Sequence, residues 1–269
     1  MNIFLAETIC QKITIYFISF TNSGICPTRT RRDYNSVRNK VLIRRDTILG
    51  SKKDIKAIIF DLDGTLLNTI DDIADSMNTV LNSLGYPLHR SNVYLNYIGA
   101  GLDSFVRCAL PESYRDDASV YNALNAMKQH YASGYANKTK PFEGILDLLE
   151  ELLKRDIRLA VLSNKRDEFT KIMVSTYFPA IHFERVLGDR QNIALKPDPT
   201  AVMEILKALH VAPEEAFFVG DSKFDMQTAV NARCVAVGVS WGYGTRSELE
   251  MNGSQFILEK PADLLSLLN

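Results

Sequence analysis

Two carboxylates, Asp61 and Asp63, stand two residues apart directly after the apolar run Ala57-Ile58-Ile59-Phe60. Gly64 and Thr65 follow them. In an extended segment, side chains at i and i+2 point the same way. Two carboxylates that converge on one spot repel each other unless a cation or a shared proton relieves them. The pair therefore suits binding of a hard metal ion, acid/base work, or both.

Further polar residues occupy corresponding places after other apolar runs. Ser163 and Asn164 follow Arg158–Leu162, and Gly220-Asp221-Ser222 with Asp225 follows Ala216–Val219. Lys196 stands in a proline-flanked loop, Lys196-Pro197-Asp198-Pro199, ahead of a helical pattern. Oxygen donors without His or Cys suit a hard divalent cation, Mg²⁺ foremost. A cation, a lysine and a serine hydroxyl together suit a phosphoryl group, whose transfer needs positioning, charge neutralisation and an in-line nucleophile. With no Cys or His at the site, a carboxylate is the natural nucleophile. The second carboxylate can protonate the leaving alcohol and then activate water. Each residue alone has a plainer role as a turn former, helix cap or solvated charge. Their joint recurrence at strand ends is what carries the chemical reading.

The elements that must position these groups alternate in type. Ala57–Phe60 reads as a buried parallel strand. Ile70, Ile73, Ala74, Met77, Val80, Leu81 and Leu84 have helical spacing. Asp71 and Asp72 lie in its first turn, where the helix dipole favours anions. More helical patterns follow around 91–97, 102–110 and 117–136, with no convincing strand between 70 and 140. From Pro141 onward, helices at 145–155, 166–178, 199–210 and 225–232 alternate with strands at 158–162, 185–187, 216–219 and 234–239. A helical turn at 246–252 and a terminal helix at 262–268 complete the pattern. This alternation predicts an α/β fold: a doubly wound parallel sheet, Rossmann-like, with an inserted all-helical cap. The expected division is a core of 54–69 and 140–269, a cap of 70–139 and an N-terminal extension of 1–53. Ligands of such sheets bind beyond the carboxyl ends of the strands.

Composition narrows the classes. The 269 residues are 46% hydrophobic and 23% charged, with a formal net charge of −1. No general pull toward nucleic acid follows, and no membrane span is expected. The charge is uneven, about +7 over residues 1–53 and −8 over the rest, counted along the sequence. The basic leader is expected to be a disordered extension or a mis-assigned start, with an organelle transit peptide or a membrane-associating leader as the alternatives. Cys10, Cys26, Cys108 and Cys234 form no C-x-x-C pair, which fits a cytoplasmic protein. The four histidines lie outside every constellation above.

These residues in this order resemble the haloacid dehalogenase superfamily of phosphatases, from about residue 54 to the end. Asp61-Leu62-Asp63-Gly64-Thr65 resembles its first motif, Ser163 its second, Lys196 its third, and Gly220-Asp221 with Asp225 its fourth. The resemblance implies that Asp61 attacks phosphorus and that Asp63 acts as general acid and then base. It implies that Ser163 and Lys196 hold the phosphoryl oxygens, with Thr65 and Asn164 beside them. Asp61, the Asp63 carbonyl and Asp221 would hold Mg²⁺, with Asp225 in support. Asp63 disfavours both the dehalogenase and the P-type ATPase branches.

Ile98-Gly99-Ala100-Gly101-Leu102 resembles the cap loop of phosphoglycolate phosphatases, which adds Gly99 and Gly101 to the substrate-binding set. Thr139-Lys140-Pro141 and Ser240-Trp241-Gly242-Tyr243-Gly244 resemble the same group, although Trp241 and Tyr243 could serve only to pack the core edge. The expected activity is hydrolysis of a small phosphate ester, foremost 2-phosphoglycolate, by a monomer or homodimer. A pyrophosphatase, a sugar-phosphate mutase and a non-enzymatic phospho-receiver module are the alternatives.

Overall fold

The computed structural model describes residues 54–268; the leader 1–53, expected to be an extension, lies outside the described residues. Among the described residues the first element is β1 (Ala57–Phe60), whose four residues are all buried. Among the described residues the main sheet contains β1, β4 (Arg158–Arg166), β5 (Arg185–Asp189), β6 (Ala216–Gly220), β7 (Val235–Val239) and β8 (Phe256–Leu258). Their spatial order is β5-β4-β1-β6-β7-β8, and every neighbouring pair is parallel.

Strand alternation feeds two hydrophobic layers. Ile58, Phe60, Leu159, Val161, Phe217 and Val219 face one side. Ala57, Ile59, Ala160, Leu162 and Phe218 face the other. Helix α5 (Ile145–Lys154) seats Ile145, Leu148, Leu149 and Leu152 on the first layer. α7 (Thr200–Leu209) and α8 (Lys223–Ala232) cover the second with Val202, Ile205, Leu206, Met226 and Ala229. Such a sheet is buried on both faces, which explains the continuous apolar runs of its strands.

The helical insertion contains α1 (Ile70–Ser83), α2 (Ser91–Tyr94), α3 (Leu102–Ala109) and α4 (Asp117–Gly134). Ile73, Ala74, Met77, Val80 and Leu81 form the buried face of α1. Phe105, Val106, Met127 and Tyr131 continue the first hydrophobic layer into the insertion. Asp116 caps α4, accepting a hydrogen bond from the Ser119 N–H at 3.0 Å. No helix among the described residues is long and apolar enough to cross a membrane.

Several sequence expectations change in detail. A short antiparallel ribbon, β2 (Leu67–Asn68) against β3 (Lys140–Pro141), joins the two crossings between core and insertion. Two-residue strands carry too little pattern to be seen in a sequence. β4 does not end before Ser163 but runs to Arg166, with a shift in its pairing to β5 between Leu162 and Arg166. The C-terminal segment Pro261–Leu267 winds as a 3₁₀ helix, seated by buried Pro261 and Leu264. α6 (Asp167–Tyr177) and α9 (Arg246–Met251) lie where helices were expected.

Candidate active site

The carboxyl ends of β1, β4 and β6 sit side by side, so the residues that follow them share one edge of the sheet. Asp61, Asp63, Ser163, Asn164, Lys196 and Asp221 line one cavity there. Gly99, Gly101, Phe105 and Tyr131 of the insertion line its opposite wall.

Asp61 follows β1 directly and is only 6% exposed. Its backbone N–H donates to the Val219 carbonyl at 2.9 Å, which fixes its start against β6. Leu62, between the two carboxylates, is fully buried. The two acids line the same cavity, yet each has its own cation. Lys196 Nζ lies 2.7 Å from Asp61 Oδ1. Lys165 Nζ lies 3.1 and 3.0 Å from the two oxygens of Asp63. Asp61 Oδ1 still lacks an aligned hydrogen bond, although it is buried. Burial pushes the Asp61 carboxyl up to about 7, despite the opposing Lys196 charge; Asp225 adds to the rise.

Lys196 is held from both ends. Asn164 Oδ1 accepts its backbone N–H at 2.8 Å, and Asn164 Nδ2 donates to its carbonyl at 3.1 Å. Its Nζ donates to Asp225 Oδ1 at 2.7 Å. Burial works against the ammonium, but Asp225 and Asp61 outweigh it and raise the Lys196 pKa.

Asp225 belongs to a reciprocal cap on α8. Its Oδ2 accepts from the Ser222 N–H at 2.9 Å and from the Ser222 hydroxyl at 2.6 Å. One carboxylate thus closes the helix and anchors the lysine.

Asp221 is braced by a separate set of contacts. Tyr243 N–H donates to its Oδ2 at 2.6 Å, and Thr65 Oγ1 to its Oδ1 at 3.3 Å. Gly64, Gly242 and Gly244 crowd it so closely that a Cβ on any of them would collide with Asp221. Burial pushes the Asp221 carboxyl well up, and Asp225 and Asp61 reinforce the effect. Asp61, Asp221 and Asp225 each offer a carboxylate oxygen within 4.8 Å of the others. Buried, mutually repelling carboxylates, with Lys196 as the cation beside Asp61, suit a divalent cation bound by oxygen ligands.

The geometry redirects two expected contacts. Thr65 does not face the cavity: it is fully buried and spends its hydroxyl on Asp221. The hydroxyl reaches Asp221 because Leu62, Gly64 and Leu67 form a tight turn at the strand end, in which the Gly64, Leu66 and Leu67 N–H groups are all bonded. Asn164 lines the cavity but spends its amide on Lys196 and on the Gly99 carbonyl, 2.8 Å from Nδ2. It joins the insertion loop to the lysine loop. Ser163 is buried at the cavity wall, where its Oγ accepts the Lys165 N–H at 3.3 Å. Gly99 and Gly101 adopt φ of +103° and +89°, which favour glycine.

Other participants escaped the sequence reading. The sequence pattern ends the strand at Ser163-Asn164 and gives Lys165 no role, whereas the strand continues to Arg166; the lysine directly after that pair is the available signal. Trp241 and Tyr243 do more than pack. Trp241 Nε1 donates to the Thr65 carbonyl at 3.0 Å, and Tyr243 Oη accepts the Thr69 N–H at 2.7 Å and the Ile70 N–H at 3.1 Å. Together they fasten the Asp221 loop to the turn after β1 and to the start of α1.

The sequence profile described as haloacid dehalogenase-like hydrolase matches residues 58–239. The phosphoglycolate phosphatase of Aquifex aeolicus is 30% identical over 215 residues, covering 80% of this chain and 97% of that protein. The phosphoglycolate phosphatase of Vibrio parahaemolyticus is 29% identical over 223 residues, covering 81% and 98%. A solved structure from Lactobacillus delbrueckii superposes with a TM-score of 0.75 at 30% identity, covering 80% of this chain and 98% of that one.

Proposed function

We propose a reaction for a chain that belongs to the haloacid dehalogenase-like hydrolase family: hydrolysis of a small phosphate monoester through a phosphorylated Asp61. The observation that carries this reading is the placement of Asp61. It is a buried carboxylate at a strand end, opposed by Lys196 and by Asp221 and facing a cavity roofed by helices.

Asp61 attacks phosphorus in line, and the ester oxygen departs with a proton from the Asp63 carboxyl. Water then attacks the phosphorus, giving its proton to Asp63, and the Asp61–phosphorus bond breaks. Each turnover thereby reloads Asp63. Lys196 opposes the burial that raises the Asp61 carboxyl, favouring its anionic form, and reaches the phosphoryl oxygens together with the Ser163 hydroxyl. Asn164 holds the Lys196 backbone in register.

Mg²⁺ is the proposed cation, held by Asp61, Asp221 and the Asp63 carbonyl, and when bound it would offset the negative charge of the phosphoryl oxygens. Asp225 supports rather than ligates, since its oxygens already accept from Ser222 and Lys196. The helical insertion 70–139 closes over the site, excludes water and selects the substrate. The relatives' names make 2-phosphoglycolate the first substrate to test.

The decisive assay is phosphate release from 2-phosphoglycolate and a panel of other small phosphate esters in Mg²⁺. The expected result is turnover of 2-phosphoglycolate with the highest kcat/KM. A preference for another ester would replace the substrate, and full activity in Asp61→Asn would reject the covalent route.

A further inference from the structure

Lys165 is a second buried ammonium in the cavity, and the reaction as written gives it no task. Its Nζ spans both oxygens of Asp63, at 3.1 and 3.0 Å. The same Nζ lies 4.7 Å from the ring centroid of Tyr131, on α4 of the insertion. Tyr131 is itself fixed. Its hydroxyl donates to Met173 Sδ at 3.5 Å, and its ring meets Phe169 edge-on at 5.1 Å. Lys165 is therefore clamped between the proposed proton carrier on the core and an aromatic face on the insertion.

A carboxyl that must deliver a proton to one departing oxygen works only in a narrow orientation. A single-point contact leaves such a side chain free to rotate, whereas contact at both oxygens does not. As the proton leaves Asp63, negative charge grows on the carboxylate beside a fixed ammonium in a low-dielectric cavity. The ring of Tyr131 adds a cation–π contact to the ammonium, and it comes from the insertion alone. The ammonium that engages Asp63 is thus also in contact with the insertion.

We propose that Lys165 is a positioning residue that aims the Asp63 carboxyl at the leaving oxygen and, through Tyr131, makes that aim depend on closure of the insertion. The proposal rests on the phosphatase reaction above. The step it serves is balanced: the Asp61–phosphorus bond forms, the phosphorus–ester oxygen bond breaks, and the Asp63 proton passes to that oxygen.

The test compares two leaving groups in single-turnover release with Mg²⁺. The glycolate alkoxide of 2-phosphoglycolate needs a proton to depart, whereas the p-nitrophenolate of p-nitrophenyl phosphate does not. Lys165→Met is expected to slow glycolate release by about 30-fold, part of the ~10²–10⁴-fold that general acid catalysis typically supplies. Nitrophenolate release should slow by less than about threefold, because a leaving group that departs as the anion draws little on the acid. Lys165→Arg, which keeps a cation able to engage both oxygens, should recover most of the loss. Tyr131→Leu should slow glycolate release in the same selective way but less, and Tyr131→Phe, which keeps the ring, less still.

Equal slowing of both esters in Lys165→Met, or none in either, overturns the proposal. If thermal melting shows Lys165→Met unfolded, the Tyr131 pair decides by the same comparison, and equal slowing of both esters in Tyr131→Leu overturns it. Failure of the unaltered protein to release phosphate from either ester would instead reject the underlying reaction.

Discussion

The two walls of the cavity are built on different principles. On the core side, Asp61, Lys196, Asp221 and Asp225 are buried, and the side chains of Lys196, Asp221 and Asp225 are tied to neighbours by hydrogen bonds. On the insertion side, Gly99 and Gly101 present backbone rather than charge, and Phe105, Met127 and Tyr131 present apolar surface. Polar ties between the two walls include Asn164 to the Gly99 carbonyl and Lys165 against the Tyr131 ring. Rigid placement is what electrostatic stabilisation of a transition state requires. A looser wall is what admission and release of substrate require. The contrast accords with the proposed division, in which the sheet edge carries most of the chemical step and the helices the choice of substrate.

Changes at the sheet edge should then act on kcat, and changes in the insertion loop on KM. The largest effect is expected from Asp61→Asn, with phosphate release down by at least about 10³-fold and the thermal melt preserved. An active variant would dissolve the contrast at its root. Next comes Gly244→Ala, whose new Cβ would collide with the Asp221 carbonyl. A loss of about 2 kcal/mol in denaturant unfolding, within the usual range for a single substitution, should accompany a fall in kcat. A well-folded, fully active Gly244→Ala would show that the core wall tolerates more slack than its contacts suggest.

The pH dependence of stability follows in size. The Asp61 carboxyl is raised from its ordinary 3.8 to about 7 in the folded chain, mainly by burial, and Asp221 moves in the same direction. The folded state therefore holds more protons than the unfolded state between those values. The stabilising contribution is complete below about pH 4 and is lost as pH rises through about 7. In metal-free protein the loss of this contribution should lower Tm as pH rises across that window relative to Asp61→Asn, and added Mg²⁺ should restore Tm at the upper end. A Tm difference independent of pH would contradict the burial of these acids. The smallest effect is expected from Gly99→Ala, at φ +103° and with a Cβ 3.2 Å from the Phe224 ring. KM should rise about threefold, the scale of a strain below 1 kcal/mol, while kcat stays within a factor of two.

Much of the fold was legible because its signals are local and repeated. The buried runs of β1 and β6 and the 3–4 spacing of α1 and α7 each specify an element without reference to the rest of the chain. The acidic and cationic groups were legible because a parallel sheet delivers strand ends to one edge. Side-chain partnership was not. Thr65 turns to Asp221, and Asn164 serves a lysine loop 32 residues away. Those choices depend on which long-range neighbour arrives, and no spacing rule encodes that. Lys165 was hidden for a related reason: β4 continues through an irregular pairing, so consecutive residues 163–166 all reach the cavity where strict alternation would send half of them away.

The ribbon of β2 and β3 has a consequence for the protein's descent. Leu67 pairs with Pro141 and Asn68 with Lys140, so the chain leaves and rejoins the core at adjacent points. Asp72 strengthens the junction by accepting the Lys138 and Thr139 N–H groups at 2.8–3.0 Å. When the ends of an insertion are already neighbours, its length adds little closure entropy, about 0.6 kcal/mol per doubling. A segment between such ends can be lengthened, shortened or exchanged while the sheet and its acids stay as they are. The catalytic edge is a socket, and new substrates can be reached by grafting a different crown onto the same two-strand stem.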